Sequence, residues 1–381
     1  MLSDFSAADA VARAALDRVF PAAQIVVLQA GQPRLSASYG WLDPEARRHP
    51  VADDTLFDLA SVTKLFTVTA FMALVEAGRV GLDQPVQAVL PEFAGVRPIR
   101  PYEDPLAPGR WVQVAAEAAA EVDAGTVTFR HLLAHTSGLP AWRPLYREPT
   151  PDMARRMALD TFFSYPVGGR VVYSDIGLIL LGLSVERLAG QPLDAAIARL
   201  VCEPLGLRHT RFLPIGRAAD ARAAAPACAA TEVCRWRGRR IVGEVHDENA
   251  AGLGGVAGHA GLFSTAGDTA RLGQMYLDGG QPVLRPSTVA EMTRLHAQDG
   301  DVRRGLGFAL WSPDPEASGN AFGPAAFGHT GFTGTSLWID PTRDLVVAVM
   351  TNRVYYGRDA AGILAFRVAL HRAIVEAVDM R

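Results

Sequence analysis

The sequence predicts an α/β protein whose β-sheet is built from both ends of the chain. Apolar runs typical of strands occur at residues 24–29 and 35–41, and again at 335–340 and 345–351. The middle of the chain is richer in helix and loop patterns. Strands at both ends around a helical middle imply an α/β domain assembled from the two termini, into which a mostly helical region is inserted.

The predicted domain boundaries follow from this pattern. We assign residues 1–75 and 265–381 to the α/β domain and residues 76–264 to the inserted, mostly helical and loop-rich domain, with the active site between them. The chain has 381 residues, of which 49% are hydrophobic and 20% charged. A chain of this size and composition can bury the large core that such a division requires.

Helical spacing of apolar residues predicts the other elements. A first helix covers residues 6–20, and a longer one runs from Asp58 to Ala77, where Gly78 ends it. The remaining predicted helices cover the alanine-rich residues 112–122, the apolar residues 176–188 and the C-terminal residues 359–378.

Composition excludes several classes of function. The net charge is −3, so no nucleic-acid partner is expected. No stretch reaches the roughly 18 apolar residues of a membrane-spanning helix. The three cysteines form no disulfide framework. His246, Asp247 and His259 lack the spacing of a zinc site, so we expect neither a metal nor another cofactor.

The N-terminus lacks the pattern of a secretory signal, because charged residues interrupt the stretch that would have to be apolar. We therefore expect a cytoplasmic protein. A periplasmic or secreted chain from which the signal peptide had been trimmed would show the same N-terminal pattern.

The strongest chemical signal is a single lysine. Of 37 basic residues, only Lys64 is not arginine. Arginine stays protonated in proteins, whereas a lysine ammonium can lose its proton when it is buried or placed near other charges. Lys64 follows Ser61 by three residues, which places both on one face of a helix. This spacing predicts a nucleophilic hydroxyl beside an amine that can activate it.

Two further motifs complete a known pattern. Tyr173-Ser174-Asp175 precedes the helix at 176, and His329-Thr330-Gly331 precedes a strand. With Ser61-x-x-Lys64, these motifs stand in the order typical of penicillin-binding proteins and serine β-lactamases. The chain resembles that superfamily from about residue 20 to residue 375. The tyrosine in the second motif places the resemblance in the branch that contains class C β-lactamases, D-alanyl-D-alanine carboxypeptidases and family VIII esterases.

Accessory segments extend this resemblance. Residues 135–140 read His-Thr-Ser-Gly-Leu-Pro and residues 258–265 read Gly-His-Ala-Gly-Leu-Phe-Ser-Thr, both similar to segments of that branch. Residues 243–250 resemble a subset near penicillin-binding protein 4B. The resemblance implies a β-lactamase/transpeptidase-like fold, an antiparallel sheet flanked by helices.

The resemblance also implies roles for the site residues. Ser61 becomes acylated, and Lys64 removes its proton or holds a neighbouring tyrosinate that does so. Tyr173 carries the proton to the leaving group. The backbone N–H groups of Ser61 and Phe332 form the oxyanion hole, and Thr330 and Gly331 support substrate binding.

Two residues depart from the usual motifs. Asp175 stands where the family usually has asparagine, and a carboxylate there favours a protonated Lys64. Asp175 could instead cap the following helix, or it could fill both roles. His329 replaces the more usual lysine, and a mostly neutral imidazole is a poor anchor for a substrate carboxylate. We expect this imidazole to gain charge as the pH falls towards 6.

The sequence therefore predicts a serine hydrolase that forms an acyl-enzyme with a small-molecule or peptide substrate. Small esters rank first as a measurable activity, then D-alanyl peptides or amides derived from muropeptides, then β-lactams as slow substrates or inhibitors. The alternative is a catalytically inactive protein that binds or senses peptidoglycan fragments or β-lactams. The complete set of serine, lysine and tyrosine favours the enzyme.

Overall fold

The computed structural model describes residues 4–107, 109–114, 120–215 and 228–380. Its centre is an eight-stranded sheet in which every neighbouring pair is antiparallel. In spatial order the strands are Ala297–Asp299, Val302–Arg304, Ala309–Leu310, Phe327–Thr330, Ser336–Asp340, Leu345–Thr351, Ala22–Gln29 and Gln32–Gly40. The sheet thus joins the two ends of the chain, as the sequence predicted.

The N-terminal and C-terminal parts of the sheet meet at the strands Ala22–Gln29 and Leu345–Thr351. Val26 pairs with Ala348 in this ladder. Every residue of Leu345–Thr351 is buried, which is the pattern of a strand covered on both faces. Alternate side chains of this strand enter two different hydrophobic clusters, because successive strand residues point to opposite faces.

Helices cover both faces of the sheet. Ser6–Ala15 packs against the C-terminal helix Ala361–Asp379 on one face, and Ala266–Leu277 lies on the other. The remaining helices of the described residues are Thr63–Glu76, Phe129–Leu133, Pro151–Leu159, Asp175–Ala189, Leu193–Ile197, Glu248–Gly252 and Pro286–Thr293, besides short 3-10 and π turns.

The helix Thr63–Glu76 is the centre of the larger hydrophobic cluster. It is apolar on nearly all sides, most of its residues are buried, and it packs against Asp175–Ala189. A helix that is apolar all round needs such complete burial. The sequence predicted that this helix would begin at Asp58, but Phe57–Asp58 pairs with Leu262–Ser264 and Ala60–Val62 forms a 3-10 turn.

The prediction of a helix over residues 112–122 was wrong at its ends. Trp111–Val112 and Glu121–Asp123 are short strands, paired with Tyr102–Glu103 and Val96–Pro98. Residues 115–119 lie outside the described part of the chain. At these two ends, pairing with a neighbouring strand outweighs helix propensity, which is only a weak preference. The division into two domains at residues 75 and 265 stays a prediction.

Within the described ranges, no single helix combines the length and apolarity needed to cross a bilayer. The helix Asp175–Ala189 and the segment Leu193–Cys202 reach that combination only together, across a bend of 77°.

Candidate active site

Ser61 lies in a strained turn between a strand and a buried helix. The preceding residue, Ala60, has a φ of 45°, a left-handed conformation that costs a non-glycine residue free energy. The buried carboxylate of Asp58 holds this turn by accepting a hydrogen bond from the Ala60 N–H at 2.8 Å. The same carboxylate accepts the His246 N–H at 2.6 Å. The turn therefore has a fixed shape before any substrate binds.

Lys64 reaches Ser61 from the first turn of the following helix. Its Nζ donates to Ser61 Oγ at 2.8 Å and to the His259 carbonyl oxygen at 3.1 Å. Asp175 Oδ1 lies 2.7 Å from Nζ, an ion pair by distance although it is not well directed as a hydrogen bond. The Lys64 side chain is only 1% exposed. A buried amine surrounded by three oxygens is suited to the ammonium state.

The electrostatics agree with this geometry. Burial by itself would lower the pKa of Lys64, but Asp175 and Tyr173 oppose burial and raise the pKa above its ordinary value. Lys64 is therefore a cation at neutral pH. Of the two roles that the sequence left open, a proton acceptor or an electrostatic support, these contacts favour the second.

The second motif lies at the start of the helix Asp175–Ala189. Ser174 caps this helix, because its Oγ accepts the Gly177 N–H at 3.2 Å. The alternative that Asp175 is the cap is therefore wrong, and its carboxylate is free to face Lys64. The Ser174 N–H donates to His135 Nδ1 at 3.1 Å. His135 has a φ of 57°, so a second strained residue supports the site.

Tyr173 is enclosed by rings and cations. Lys64 Nζ lies 4.8 Å from the centre of its ring, and the Arg304 guanidinium carbon lies at 5.3 Å. The rings of His135 and His329 lie at 4.7 Å and 5.8 Å. Its hydroxyl is buried and makes no well-directed hydrogen bond among the described residues. Burial raises the pKa of Tyr173, against the opposing effect of Lys64, so the phenol is neutral at rest.

His329 is neutral throughout the physiological range. Its Nδ1 lies 2.8 Å from the Thr330 carbonyl oxygen. A carbonyl can only accept, so Nδ1 carries the proton and Nε2 has the lone pair. Burial, together with Lys64 and Arg304, lowers the pKa of His329 to about 3. The expectation that this imidazole gains charge near pH 6 was wrong, because the sequence does not reveal the burial or the two cations.

The third motif is joined to the Ser61 turn by hydrogen bonds. Thr333 Oγ1 donates to the Asp58 carbonyl oxygen at 2.7 Å, and Thr335 Oγ1 donates to the Leu59 carbonyl oxygen at 2.8 Å. A Cβ at Gly331 would lie 2.1 Å from Thr335 Oγ1 and 2.5 Å from the Leu59 oxygen. Glycine is therefore the residue that allows this close approach.

The two backbone N–H groups assigned to the oxyanion hole lie on these joined segments. The Phe332 N–H donates none of the hydrogen bonds found among the described residues. The Phe332 ring stacks against His246 with 5.7 Å between ring centres. Ser61 lies at the beginning of a helical turn, where backbone N–H groups lack partners within the helix.

A cavity of about 1240 Å³ opens over these residues. The sequence-predicted residues Ser61, Tyr173, Asp175, His329, Thr330, Gly331 and Phe332 all line it. Lys64 does not line the cavity, but it contacts Ser61, which does. Trp142, Tyr146 and Trp236 form an aromatic wall at one side. The structure therefore brings the complete set of predicted residues to one place, in a space larger than a small ester needs.

Several supporting residues escaped the sequence analysis as parts of the site. Asp247 Oδ1 lies 2.9 Å from His259 Nε2, which fixes the segment whose carbonyl contacts Lys64. Asn249 binds the Tyr146 N–H and the Arg143 carbonyl oxygen. The segment 246–249 is thus scaffolding for the cavity wall. The sequence contains one signal for Asp58, because this residue is a lone carboxylate within an apolar run. It contains no such signal for Arg304.

No group of three or more histidine, cysteine, aspartate or glutamate side chains with the geometry of a metal site occurs among the described residues. The three cysteines are buried thiols.

The fold and the family of the chain define a protein of the serine-hydrolase type. The chain belongs to the Beta-lactamase family, whose model matches residues 8–371. It is 33% identical over 370 residues to an N-acetylmuramyl-L-alanine amidase of Bacillus subtilis, covering 88% of this chain and 77% of the amidase. It is 29% identical over 377 residues to a putative D-alanyl-D-alanine carboxypeptidase of Salmonella agona, covering 89% of this chain and 80% of that protein.

Solved structures show the same fold. EstCE1, described as a hydrolase with promiscuous acyltransferase activity, superposes with a TM-score of 0.72 at 21% identity, covering 97% of this chain and 98% of EstCE1. A penicillin-binding protein homologue from Caulobacter crescentus superposes with a TM-score of 0.71 at 22% identity, covering 98% of this chain and 95% of the homologue. The resemblance inferred from the three motifs is thus confirmed at the level of family and fold.

Proposed function

We propose that this protein is a serine hydrolase that cleaves an ester or amide bond through an acyl-enzyme on Ser61. The observation that carries the proposal is the hydrogen bond of 2.8 Å from the buried Lys64 ammonium to Ser61 Oγ, beside the phenol of Tyr173. A hydroxyl that lies next to a cation and to a group that can carry its proton is an activated nucleophile.

In the proposed reaction Ser61 Oγ adds to the substrate carbonyl carbon, and the π electrons move onto the carbonyl oxygen. The Ser61 proton passes to Tyr173 Oη, and the phenol proton of Tyr173 passes to the leaving oxygen or nitrogen. The tetrahedral intermediate then releases an alcohol or amine and leaves an ester on Ser61. Water attacks this ester with the proton path reversed, which releases a carboxylic acid and restores Ser61.

This path suits a neutral Tyr173 and a protonated Lys64. Tyr173 gains one proton as it loses another, so no free tyrosinate has to accumulate despite its raised pKa. Lys64 stays an ammonium and stabilises negative charge on both hydroxyls during the transfer. The backbone N–H groups of Ser61 and Phe332 receive the oxyanion.

For the substrate, we favour an amide of a muropeptide fragment, with small esters as convenient test substrates. The names of the amidase and carboxypeptidase relatives support this choice. The cavity volume of about 1240 Å³ and its aromatic wall also suit a substrate larger than a small ester. β-Lactams rank lower, because the names of the amidase and carboxypeptidase relatives point to peptide amides.

Arg304 supports an acidic substrate. It lines the cavity, and its guanidinium forms no ion pair or side-chain hydrogen bond among the described residues. A guanidinium without an acidic partner that faces a cavity favours an anionic ligand. We therefore assign Arg304 to the carboxylate of the substrate, in the place of the cation that His329 does not supply.

The test combines labelling with turnover. The purified protein is incubated with a fluorophosphonate and, separately, with a fluorescent penicillin, and the adduct is located by peptide mass. Turnover is then measured for a chromogenic ester, an N-acetylmuramyl-L-alanyl peptide, a D-alanyl-D-alanine peptide and a cephalosporin. Ser61→Ala is the test variant, and Ser36→Ala, at an exposed strand position, is the matched control.

We expect one adduct on Ser61, turnover of the ester and at least one amide, and loss of both in Ser61→Ala alone. An adduct elsewhere, or turnover that survives Ser61→Ala, contradicts the assignment. Labelling of Ser61 without turnover of any substrate would favour the inactive sensor.

A further inference from the structure

One peptide group at the third motif has a role at each of its two polar atoms. The peptide bond between Gly331 and Phe332 presents its N–H as a proposed oxyanion donor. Its carbonyl oxygen, on Gly331, accepts a hydrogen bond of 2.9 Å from Arg367 Nη2. The donor that would hold the oxyanion and the acceptor that contacts Arg367 therefore belong to the same conjugated unit.

Arg367 is an unusual cation. It lies on the helix Ala361–Asp379, is 5% exposed, and forms no ion pair with a carboxylate among the described residues. Besides Gly331, its Nη2 contacts the Thr335 carbonyl oxygen at 2.7 Å. Burial and the neighbouring Arg353 lower the pKa of Arg367 to about 9, which leaves it charged at neutral pH.

A buried charge without a counter-ion is costly, so its position calls for a compensating interaction. Neither carbonyl that Arg367 contacts carries a formal charge. Both belong to the loop that follows His329-Thr330, and the Gly331 N–H itself donates to the Thr335 oxygen at 2.7 Å. The cation thus acts on the backbone of this one loop.

A positive charge at a carbonyl oxygen draws electron density from the amide nitrogen and makes the N–H a stronger donor, as in a chain of polarised hydrogen bonds. The effect is largest where water is excluded and where the acceptor is an anion. It also grows as the reaction proceeds, because the substrate oxygen becomes an oxyanion only in the transition state.

We propose that Arg367 is a positioning residue that polarises and orients the Gly331–Phe332 peptide, so that the Phe332 N–H binds the transition-state oxyanion more strongly than the ground-state carbonyl. The inference rests on the proposed hydrolysis through Ser61. Arg353 offers the natural comparison: its Nε donates to the next carbonyl, that of Phe332, at 2.8 Å, and that peptide does not contain the oxyanion donor.

The experiment compares a chromogenic ester with its thionoester, which carries sulfur in place of the carbonyl oxygen. Sulfur is a poor hydrogen-bond acceptor, so the thionoester depends less on the N–H donors. The variants are Arg367→Met, which removes the charge, Arg367→Gln, which keeps a donor without charge, and Arg367→Lys, which keeps the charge. Arg353→Met is the matched control for loss of a buried cation at the same loop.

We expect kcat for the ester to fall about 10-fold in Arg367→Met and Arg367→Gln with little change in KM, a fraction of the roughly 10²–10³-fold lost when a whole oxyanion donor is removed. The ratio of kcat/KM for the ester to kcat/KM for the thionoester should decrease in these variants. Arg367→Lys should restore part of the wild-type ratio. Arg353→Met should keep the wild-type ratio whatever its absolute rate.

The inference is overturned if a folded Arg367→Gln or Arg367→Met variant keeps the wild-type ratio of ester to thionoester kcat/KM. It is also overturned if this ratio decreases equally in Arg353→Met. If Arg367→Met fails to fold, Arg367→Gln compared with Arg367→Lys decides, with thermal unfolding as the check on folding. Turnover that survives Ser61→Ala overturns the proposed function itself, a result distinct from an active, Ser61-dependent enzyme that does not respond at Arg367.

Discussion

Asp175 Oδ1 lies 2.7 Å from Lys64 Nζ, and this pair sets the charge of the only lysine in the chain. The carboxylate stands where related motifs usually have asparagine, and Ser174 caps the helix in its place. A buried ammonium that would otherwise tend to lose its proton is thereby kept charged. The difference between a basic amine and a fixed cation at this position has consequences that can be measured.

The first prediction concerns Lys64→Arg. The cation is 1% exposed and fits between Ser61 Oγ, the His259 oxygen and Asp175. A guanidinium is larger and planar and cannot occupy the same point. We expect kcat/KM for an ester to fall by about 10²–10³-fold, the usual range for loss of one preorganised electrostatic contact in the transition state.

The control for this prediction is the opposite exchange at the surface, Arg13→Lys, in an exposed ion pair with Asp9. Its activity should equal that of the wild type. Activity of Lys64→Arg within about threefold of the wild type would show that any cation suffices at residue 64, contrary to the geometric argument.

The second prediction concerns Asp175→Asn. Asp175 raises the pKa of Lys64. Replacing this carboxylate with asparagine therefore lowers the pKa of Lys64, because less negative charge then offsets the effect of burial. If the ammonium is the active form, activity of the variant should fall as the pH rises from 7 to 10, whereas wild-type activity stays flat. The measurement is kcat/KM for an ester against pH, with unfolding followed at each pH. Activity of the variant that rises over this range would identify the neutral amine as the base.

The third prediction concerns substrate charge. If Arg304 binds a substrate carboxylate, Arg304→Gln should lower kcat/KM for an acidic ester by about 10- to 100-fold relative to its neutral methyl ester, the range of one charge-assisted hydrogen bond. Arg303→Gln is the matched control, because the adjacent Arg303 already donates to the Trp311 carbonyl oxygen. Equal losses for both substrates would remove Arg304 from carboxylate recognition.

The same pair of substrates tests the charge of His329. Its pKa of about 3 keeps the imidazole neutral, so the preference between acidic and neutral ester should be the same at pH 6 and pH 8 in the wild type and in His329→Gln. A preference for the acidic ester that increases at pH 6 in the wild type alone would contradict this neutrality.

The fourth prediction concerns stability in acid. Burial lowers the pKa of His371 to about 4, below the ordinary value near 6.5 of the unfolded chain. Between these values the unfolded state binds a proton that the folded state does not, so stability is lost as the pH falls through this window. His371→Gln, which can still donate to the Ser318 carbonyl oxygen, should reduce the loss of unfolding free energy between pH 7 and 5 by about 1–2 kcal/mol.

Urea unfolding at several pH values measures this effect, and His49→Gln, at an exposed loop position, is the matched control. The control should show the same pH dependence as the wild type. A His371→Gln variant that loses as much stability as the wild type would show that His371 is protonated in the folded state.

The sequence predicted the sheet and the candidate site from composition and local spacing. Strands such as Leu345–Thr351 are apolar throughout, and covered strands require that composition. Ser61 and Lys64 are three residues apart, so local helical geometry alone brings them together. The order of the three motifs then indicated the family. The start of the Ser61 helix was less accurate, because pairing of Phe57–Asp58 with Leu262–Ser264 is a long-range contact.

By itself, then, the sequence determined the fold class, the residues of the candidate site and the presence of a single lysine, since each depends on local spacing or composition. Only the tertiary structure decided the charge states, which depend on burial and on distant neighbours. It made Lys64 a fixed cation through Asp175, made His329 neutral through enclosure near Lys64 and Arg304, and placed Arg367 behind the Gly331–Phe332 peptide. Electrostatic energies depend on distance and solvent exclusion in space, and residue order along the chain specifies neither.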